Sequence, residues 1–271
     1  MRIVQIVLPG APEFERKCQR VDFASLSPVH DVIVTQSPHD ARAAEVAHIY
    51  GPAPLPRQPL IGFPVPYVAS SEPQKPRFAL RKPATPRIVV SPLATGEGHL
   101  PEAVEEQYFN ATEDRGLRTE DRDRTIGSFR RPDLDDLIEQ TLARIARFRD
   151  DVQWKHFDMP PAPADFLDID VWVDPARDET DFDGFVAEAI AAAKLVVASR
   201  TAINSLRLEK GRIGFLVPCS DPNELTHAIL TALFKPEVAR SKIEAAKQTA
   251  GKLRPRQRIR ILERLYESLI P

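Results

Sequence analysis

The sequence predicts an α/β fold of two Rossmann-like lobes, the first of them abbreviated. Three observations lead there. Short apolar runs recur along the 271 residues, and they are continuous rather than alternating, the pattern of strands buried on both faces. In the second half these runs alternate with amphipathic segments of helical period, giving five strand–helix units in succession. In the first half the stretches between runs are too rich in proline for good helices, since many of the chain's 26 prolines lie between Pro52 and Pro92.

Taken in order, strands are expected at residues 3–8, 32–35, 48–50, 65–69 and 88–91, with a helix at 13–26 between the first two. A charged stretch, residues 113–124, reads as a solvated linker, so the domain boundary is placed near residue 112, giving domains 1–112 and 113–271. Beyond it come a strand at 125–129 and a helix at 133–148, whose Leu134, Leu137, Ile138, Leu142, Ile145 and Phe148 form one stripe. A strand at 152–157, a short helix at 162–167 and a strand at 169–173 follow. Next are a helix at 184–193, a strand at 195–198, a helix at 203–210 that Gly211 stops, and a strand at 213–217. Asp221-Pro222-Asn223-Glu224 has the form of a helix cap, with proline at the first helical position and glutamate three residues after the cap. That helix runs to about Phe234, and helices at 236–250 and 255–269 close the chain. The strand–helix–strand connections should be right-handed.

Composition excludes several classes. A net charge of −2 gives no global attraction to nucleic acid. Cys18 and Cys219 are too far apart in sequence to read as a disulfide framework or a metal motif, and the six histidines show no ligand spacing. Asp168-Ile169-Asp170 spells D-x-D, but it opens a buried strand and is not taken as a metal site; no metal is expected. The first ten residues are too short a run for a signal sequence, and no run reaches membrane-spanning length. A cytoplasmic protein is expected. The last helix carries Lys252, Arg254, Arg256, Arg258, Arg260 and Arg264 in or just before it, with Ile259, Leu262, Tyr266 and Leu269 on one stripe. It reads either as a packed helix with a solvated basic face or as a peripheral contact with anionic lipid.

Residues 180–199, TDFDGFVAEAIAAAKLVVAS, are the most informative stretch. They resemble the pattern E-G-F-G-x-x-x-x-E-A-x-A-x-G-x-P-V-V-A-S of retaining glycosyltransferases of the GT-B fold, family 4 (group 1) type. Phe182, Glu188, Ala189, Ala191 and Val196-Val197-Ala198-Ser199 fall in register. Gly214-Phe215-Leu216-Val217-Pro218 with Asp221-Pro222 and Leu225 is similar to a second pattern of that family, G-x-L-V-P-x-x-D-P-x-x-L. Leu100 to Phe109 is similar to its interdomain hinge, I-P-x-G-V-D-x-x-x-F. The chain departs from the family at Thr180, where the first glutamate of the motif stands, and at Asp181 and Asp183, which replace glycines.

The resemblance implies the donor-binding residues. Glu188 corresponds to the glutamate that holds the ribose hydroxyls, a task suited to a charged acceptor facing a diol. Thr180, Asp181 and Phe182 lie where the family contacts the donor sugar. The diphosphate is expected at helix N-termini. One such place is Ile203-Asn204-Ser205. The other is the strand end similar to V-G-R-L-x-x-x-K-G, where Ser128 and Asp133 take the arginine and lysine places and Arg130 and Arg131 supply the charge. His39 and His99 match no motif.

The resemblance thus implies transfer of a sugar from a nucleotide-diphosphate donor to a hydroxyl acceptor with retention of configuration, without metal or other cofactor. The alternative is a non-catalytic relative that binds nucleotide sugar or a partner protein, because Thr180, Ser128, the missing glycines and the short first lobe all depart from the pattern. The sugar, base, acceptor and oligomeric state have no signature in the chain.

Overall fold

A computed structural model describes residues 1–7, 11, 13–36, 44–50, 67–69, 87–89, 102–110, 123–178 and 184–270. The elements begin with β1 (Arg2–Val7), α1 (Glu13–Leu26), β2 (Asp31–Thr35), β3 (Val46–Tyr50), β4 (Tyr67–Ala69), β5 (Arg87–Val89) and α2 (Gln107–Asn110). There follow β6 (Arg124–Phe129), α3 (Asp135–Ile145), β7 (Val152–Phe157), β8 (Val171–Asp174), α4 (Val186–Ala191) and β9 (Leu195–Ser199). The chain ends with α5 (Ala202–Arg207), β10 (Phe215–Val217), α6 (Pro222–Phe234), α7 (Pro236–Ala250) and α8 (Pro255–Leu269).

Contacts divide the chain into two compact units, Met1–Ala103 with Arg254–Pro271, and Val104–Leu253. The boundary expected near residue 112 lies outside the described residues, and the last helix is expected in the second lobe. In the structure α8 belongs to the first unit. Its apolar stripe, Ile259, Leu262, Tyr266 and Leu269, is buried with Ile3, Leu26 and Val46.

The first unit is a parallel sheet of order β2-β1-β3-β4-β5. A buried polar cluster joins its helices to the sheet. Arg258 of α8 donates from Nε and Nη2 to the two carboxylate oxygens of Asp22 on α1, at 2.6 and 2.8 Å. Both side chains are buried, so Arg258 is no part of a solvated basic face. Burial opposes the guanidinium's charge, but Asp22 more than offsets this and its pKa is raised. Tyr50 donates to the same carboxylate at 2.8 Å. Burial and then Arg258 lower the pKa of His48, leaving its ring neutral. Its Nδ1 lies 2.7 Å from the Tyr266 hydroxyl and is assigned as the acceptor.

His48 makes the unit acid-sensitive. The unfolded chain binds a proton at this residue below about pH 6.5 that the folded chain does not, so stability falls as pH drops through that value. Urea unfolding of the first unit at pH 5.5 should show about 1 kcal/mol less stability than at pH 7.5 from this group. His48→Gln should shrink that difference. An unchanged pH dependence in the variant would mean the folded ring already carries its proton.

The second unit is a parallel sheet of order β10-β9-β8-β6-β7. Successive strand residues point to opposite faces, and the packing follows suit. Trp172, Val196 and Ala198 pack with α4 and the end of α7 on one side. Val171, Val173, Leu195 and Val197 pack with α6 and Ile145 of α3 on the other. The helix expected at 133–148 is shorter, a 3-10 turn at Pro132–Leu134 leading into α3, so Phe148 falls beyond its end and is 71% exposed. The cap expected at Asp221 is present, its carboxylate accepting from the amides of Asn223 and Glu224. β6 is flanked by β7 on one side and β8 on the other, with β9 and β10 beyond β8. The direction of winding therefore reverses between β6 and β8, and ligands of such sheets bind outside the carboxyl ends at that switch point.

Candidate functional site

The carboxyl ends of β6, β8 and β9 carry a connected set of polar groups in the second unit. Asp174 ends β8 and is buried, and its Oδ2 accepts from Asn204 Nδ2 at 2.7 Å. The same amide nitrogen lies 3.2 Å from the Ser199 carbonyl at the end of β9. Thr201 caps α5, its hydroxyl accepting from the Asn204 amide at 3.1 Å. The Ser199 hydroxyl accepts from the Ala176 amide at 2.9 Å. Asn204 therefore ties α5 to two strand ends, and its Oδ1 is buried with no hydrogen-bond partner among the described residues.

α4 starts from a tight turn. Phe185, its N-cap, has a left-handed backbone with φ of 59°, and the Trp172 indole donates to the Gly184 carbonyl at 2.6 Å. Phe185 also packs against Phe129 at the end of β6, ring centroids 4.9 Å apart. Glu188 is the third residue of α4 and is 6% exposed. A carboxylate this deep requires polar partners, which sets it apart from an ordinary surface glutamate.

Basic groups line the switch point. Arg130 and Arg131 follow β6, and Arg130 lies 3.4 Å from Asp158. Arg177 follows β8 and reaches across to residue 133, its Nε donating to the Asp133 carbonyl at 2.7 Å, with Nη2 on the same oxygen. Arg131 and Arg177 also share one Asp133 carboxylate oxygen, at 3.2 and 3.6 Å.

Of the residues singled out in the sequence, Glu188 is in the core side of α4, while Arg130 and Arg131 stand at the switch point. Ile203, Asn204 and Ser205 lie in α5, where Ile203 and Asn204 are buried and the Asn204 amide already has Thr201 as acceptor. Ser128 is fully buried on β6, its hydroxyl accepting from Trp154 Nε1 at 2.8 Å and lying 3.0 Å from His156 Nδ1. Burial and then Arg130 lower the His156 pKa, in keeping with Nδ1 as the acceptor of the serine hydroxyl. Thr180, Asp181, Phe182, Asp183, His39 and His99 lie outside the described residues. The Asp170 carboxylate of the D-x-D triplet accepts from the Thr125 amide at 2.8 Å, a contact between strands. Among the described residues no group of three or more histidine, cysteine or acidic side chains is placed to hold a metal ion. Asp174 and Arg177 belong to no sequence motif, and Ser199 enters only as the last residue of the 180–199 pattern. The signal for Asp174 and Arg177 is that ligands gather at strand carboxyl ends.

Residues 124–234, from β6 through α6, match the family model described as Glycosyl transferases group 1. Among solved structures the chain is similar to a glycosyltransferase from Rickettsia africae, at 12% identity and a TM-score of 0.69 over 99% of this chain and 98% of that one. It is similar to HepE of Anabaena in complex with UDP and glucose, at 13% identity and a TM-score of 0.60 over 99% of each chain. Spinosyn rhamnosyltransferase SpnG aligns at 13% identity and a TM-score of 0.59 over 97% of this chain and 100% of that one. No curated protein matches the sequence significantly. Identities this low speak for the fold. The chain has the α/β GT-B fold, and its residues 124–234 are similar to the Glycosyl transferases group 1 family.

Proposed function

We propose that the protein is a retaining glycosyltransferase that moves a hexose from a nucleotide-diphosphate donor to a hydroxyl acceptor. The observation that carries this reading is the match of residues 124–234, which include Glu188 and both strands of the switch point. In this reading Glu188 accepts from the ribose hydroxyls. Arg130, Arg131 and the chain at Ile203–Ser205 face the diphosphate, where positive charge offsets the negative charge that gathers on the departing phosphate. Thr180, Asp181 and Phe182 lie by the sugar. No metal takes part. The protein works in the cytoplasm as a two-lobed enzyme with a shortened acceptor lobe. Any contact with an anionic membrane surface would run through the exposed Arg256, Arg260 and Arg264 of α8, since the apolar stripe of that helix is buried. Among the described residues no helix is long and apolar enough to cross a membrane.

A second reading, a nucleotide-binding relative without turnover, is favoured by one observation. Ser128, in the place of a phosphate-binding arginine, is buried and engaged by Trp154 and His156.

Calorimetric titration with UDP and GDP tests the first reading. UDP comes first because HepE holds it. Binding should be clear, and Glu188→Gln, which keeps the side-chain volume, should weaken it about tenfold or more, as for loss of a hydrogen bond to a charged group. No binding of either nucleotide would sink the reading. Binding without hydrolysis of any UDP-sugar or GDP-sugar tried would move it to the second.

A further inference from the structure

We infer that Arg177, together with Arg131, grips the diphosphate of the donor, and that the Asp133 carboxylate holds their place until it arrives. The inference rests on the nucleotide-diphosphate donor proposed above and adds the groups that hold it.

Arg131 follows β6 and Arg177 follows β8, so the two stand on either side of the switch point of the second sheet, where an open α/β sheet receives its ligands. The chain at 176–177 is pinned from two sides. The Ala176 amide donates to Ser199 Oγ at 2.9 Å, the Ser220 amide donates to the Ala176 carbonyl at 3.1 Å, and the Ser220 hydroxyl donates to the Arg177 carbonyl at 3.0 Å. Ser220 makes both bonds from a left-handed backbone with φ of 55°. Arg177 thus leaves a fixed point, and its guanidinium is steadied again by the Asp133 carbonyl.

The Asp133 carboxylate is shared between the two arginines. Two guanidinium groups converge on one Asp133 oxygen. A planar guanidinium fork suits phosphate oxygens as well as carboxylate oxygens. A diphosphate offers more charge and more acceptor atoms than one carboxylate, so it can displace the aspartate while Arg177 keeps its bond to the main-chain carbonyl. The side chains of Arg177 and Asp133 are 60% and 48% exposed, leaving the exchange open to solvent. Asp133, an acid in the place of the pattern's lysine, then acts by drawing a cation to it.

The two partners of this contact should respond in opposite directions. Arg177→Gln should weaken UDP binding about tenfold or more. Asp133→Asn keeps the carbonyl and removes the competing charge, and should tighten UDP binding about threefold or more. Neither substitution should change the affinity for uridine, which lacks phosphates. A merely structural contact would make both variants bind UDP alike, or both more weakly. Unchanged UDP affinity in Arg177→Gln, weaker UDP binding in Asp133→Asn, or equal shifts for uridine would each overturn the inference. If UDP binding is lost in Glu188→Gln yet untouched in Arg177→Gln, the donor reading stands and this one falls. A wild-type chain that binds no UDP brings down both. Overlaid thermal melts of the two variants, both altered at exposed side chains, would show that the fold is intact.

Discussion

Arg258→Met should destabilise the first unit by about 3–5 kcal/mol, the cost of stranding one partner of a buried ion pair. Methionine fills much of the space of the arginine stem, so the loss comes chiefly from Asp22. Its carboxylate is fully buried and receives two bonds from Arg258 and one from Tyr50. With the guanidinium gone, Tyr50 is the remaining hydrogen-bond donor to that buried charge among the described residues. The two tryptophans of the chain, Trp154 and Trp172, both lie in the second unit, so their fluorescence reports on that unit. Hydrogen exchange at the amides of β1 and β3 reports on the first, and its protection should fall by the stated amount. Asp22→Leu combined with Arg258→Met should restore most of it, because an apolar pair of similar volume replaces a buried ion pair at little or no cost. A loss below about 1 kcal/mol in the single variant would mean that water reaches Asp22 once the arginine is removed.

The same residue shows where reading the sequence reached its limit. Helical period located the last helix and its apolar stripe, and α8 spans the residues expected. Period cannot say which core receives the stripe, because that depends on a chain partner more than two hundred residues earlier. Arg258 looks like its basic neighbours in sequence, and only Asp22 on α1 distinguishes it. The second sheet was more legible because its strands are continuous apolar runs and its α6 cap is a local pattern, the Asp221 carboxylate accepting from two amides within three residues. The helix ends were less so: Phe148 continues the stripe of α3 by spacing, yet the helix stops at Ile145 and leaves it in solvent. At the candidate site, Glu188 could be found by motif and the arginines by charge. Asp174 and Arg177 belong to no pattern. They matter because parallel strands bring residues 133, 177, 199 and 204 to one edge, and sequence spacing does not encode that edge.

Gly184→Ala should be the most damaging single-methyl change in the second unit, at about 3 kcal/mol or more from overpacking and the disturbed buried hydrogen bond. A Cβ built on residue 184 would lie 1.6 Å from Asp174 Oδ1 and 2.3 Å from Asp174 Cγ. Neither side can give way cheaply. The aspartate is buried and bonded to Asn204 at 2.7 Å, and the glycine carbonyl is held by the Trp172 indole at 2.6 Å. The next residue, Phe185, already carries the left-handed turn that starts α4. A shift of the turn would move Glu188 on the first turn of that helix, so the variant should lose affinity for UDP along with stability. A double-mutant cycle separates this clash from a general intolerance of the turn. Asp174→Ala removes Oδ1 and Cγ and leaves the Asp174 Cβ at 3.0 Å from the new methyl, while leaving the Asn204 amide nitrogen with the Ser199 carbonyl. Combined with Gly184→Ala it should be more stable than the sum of the single changes predicts, by about 1–2 kcal/mol. Additive effects in urea unfolding would place the difficulty in the backbone at residue 184 and not in the aspartate that packs against it.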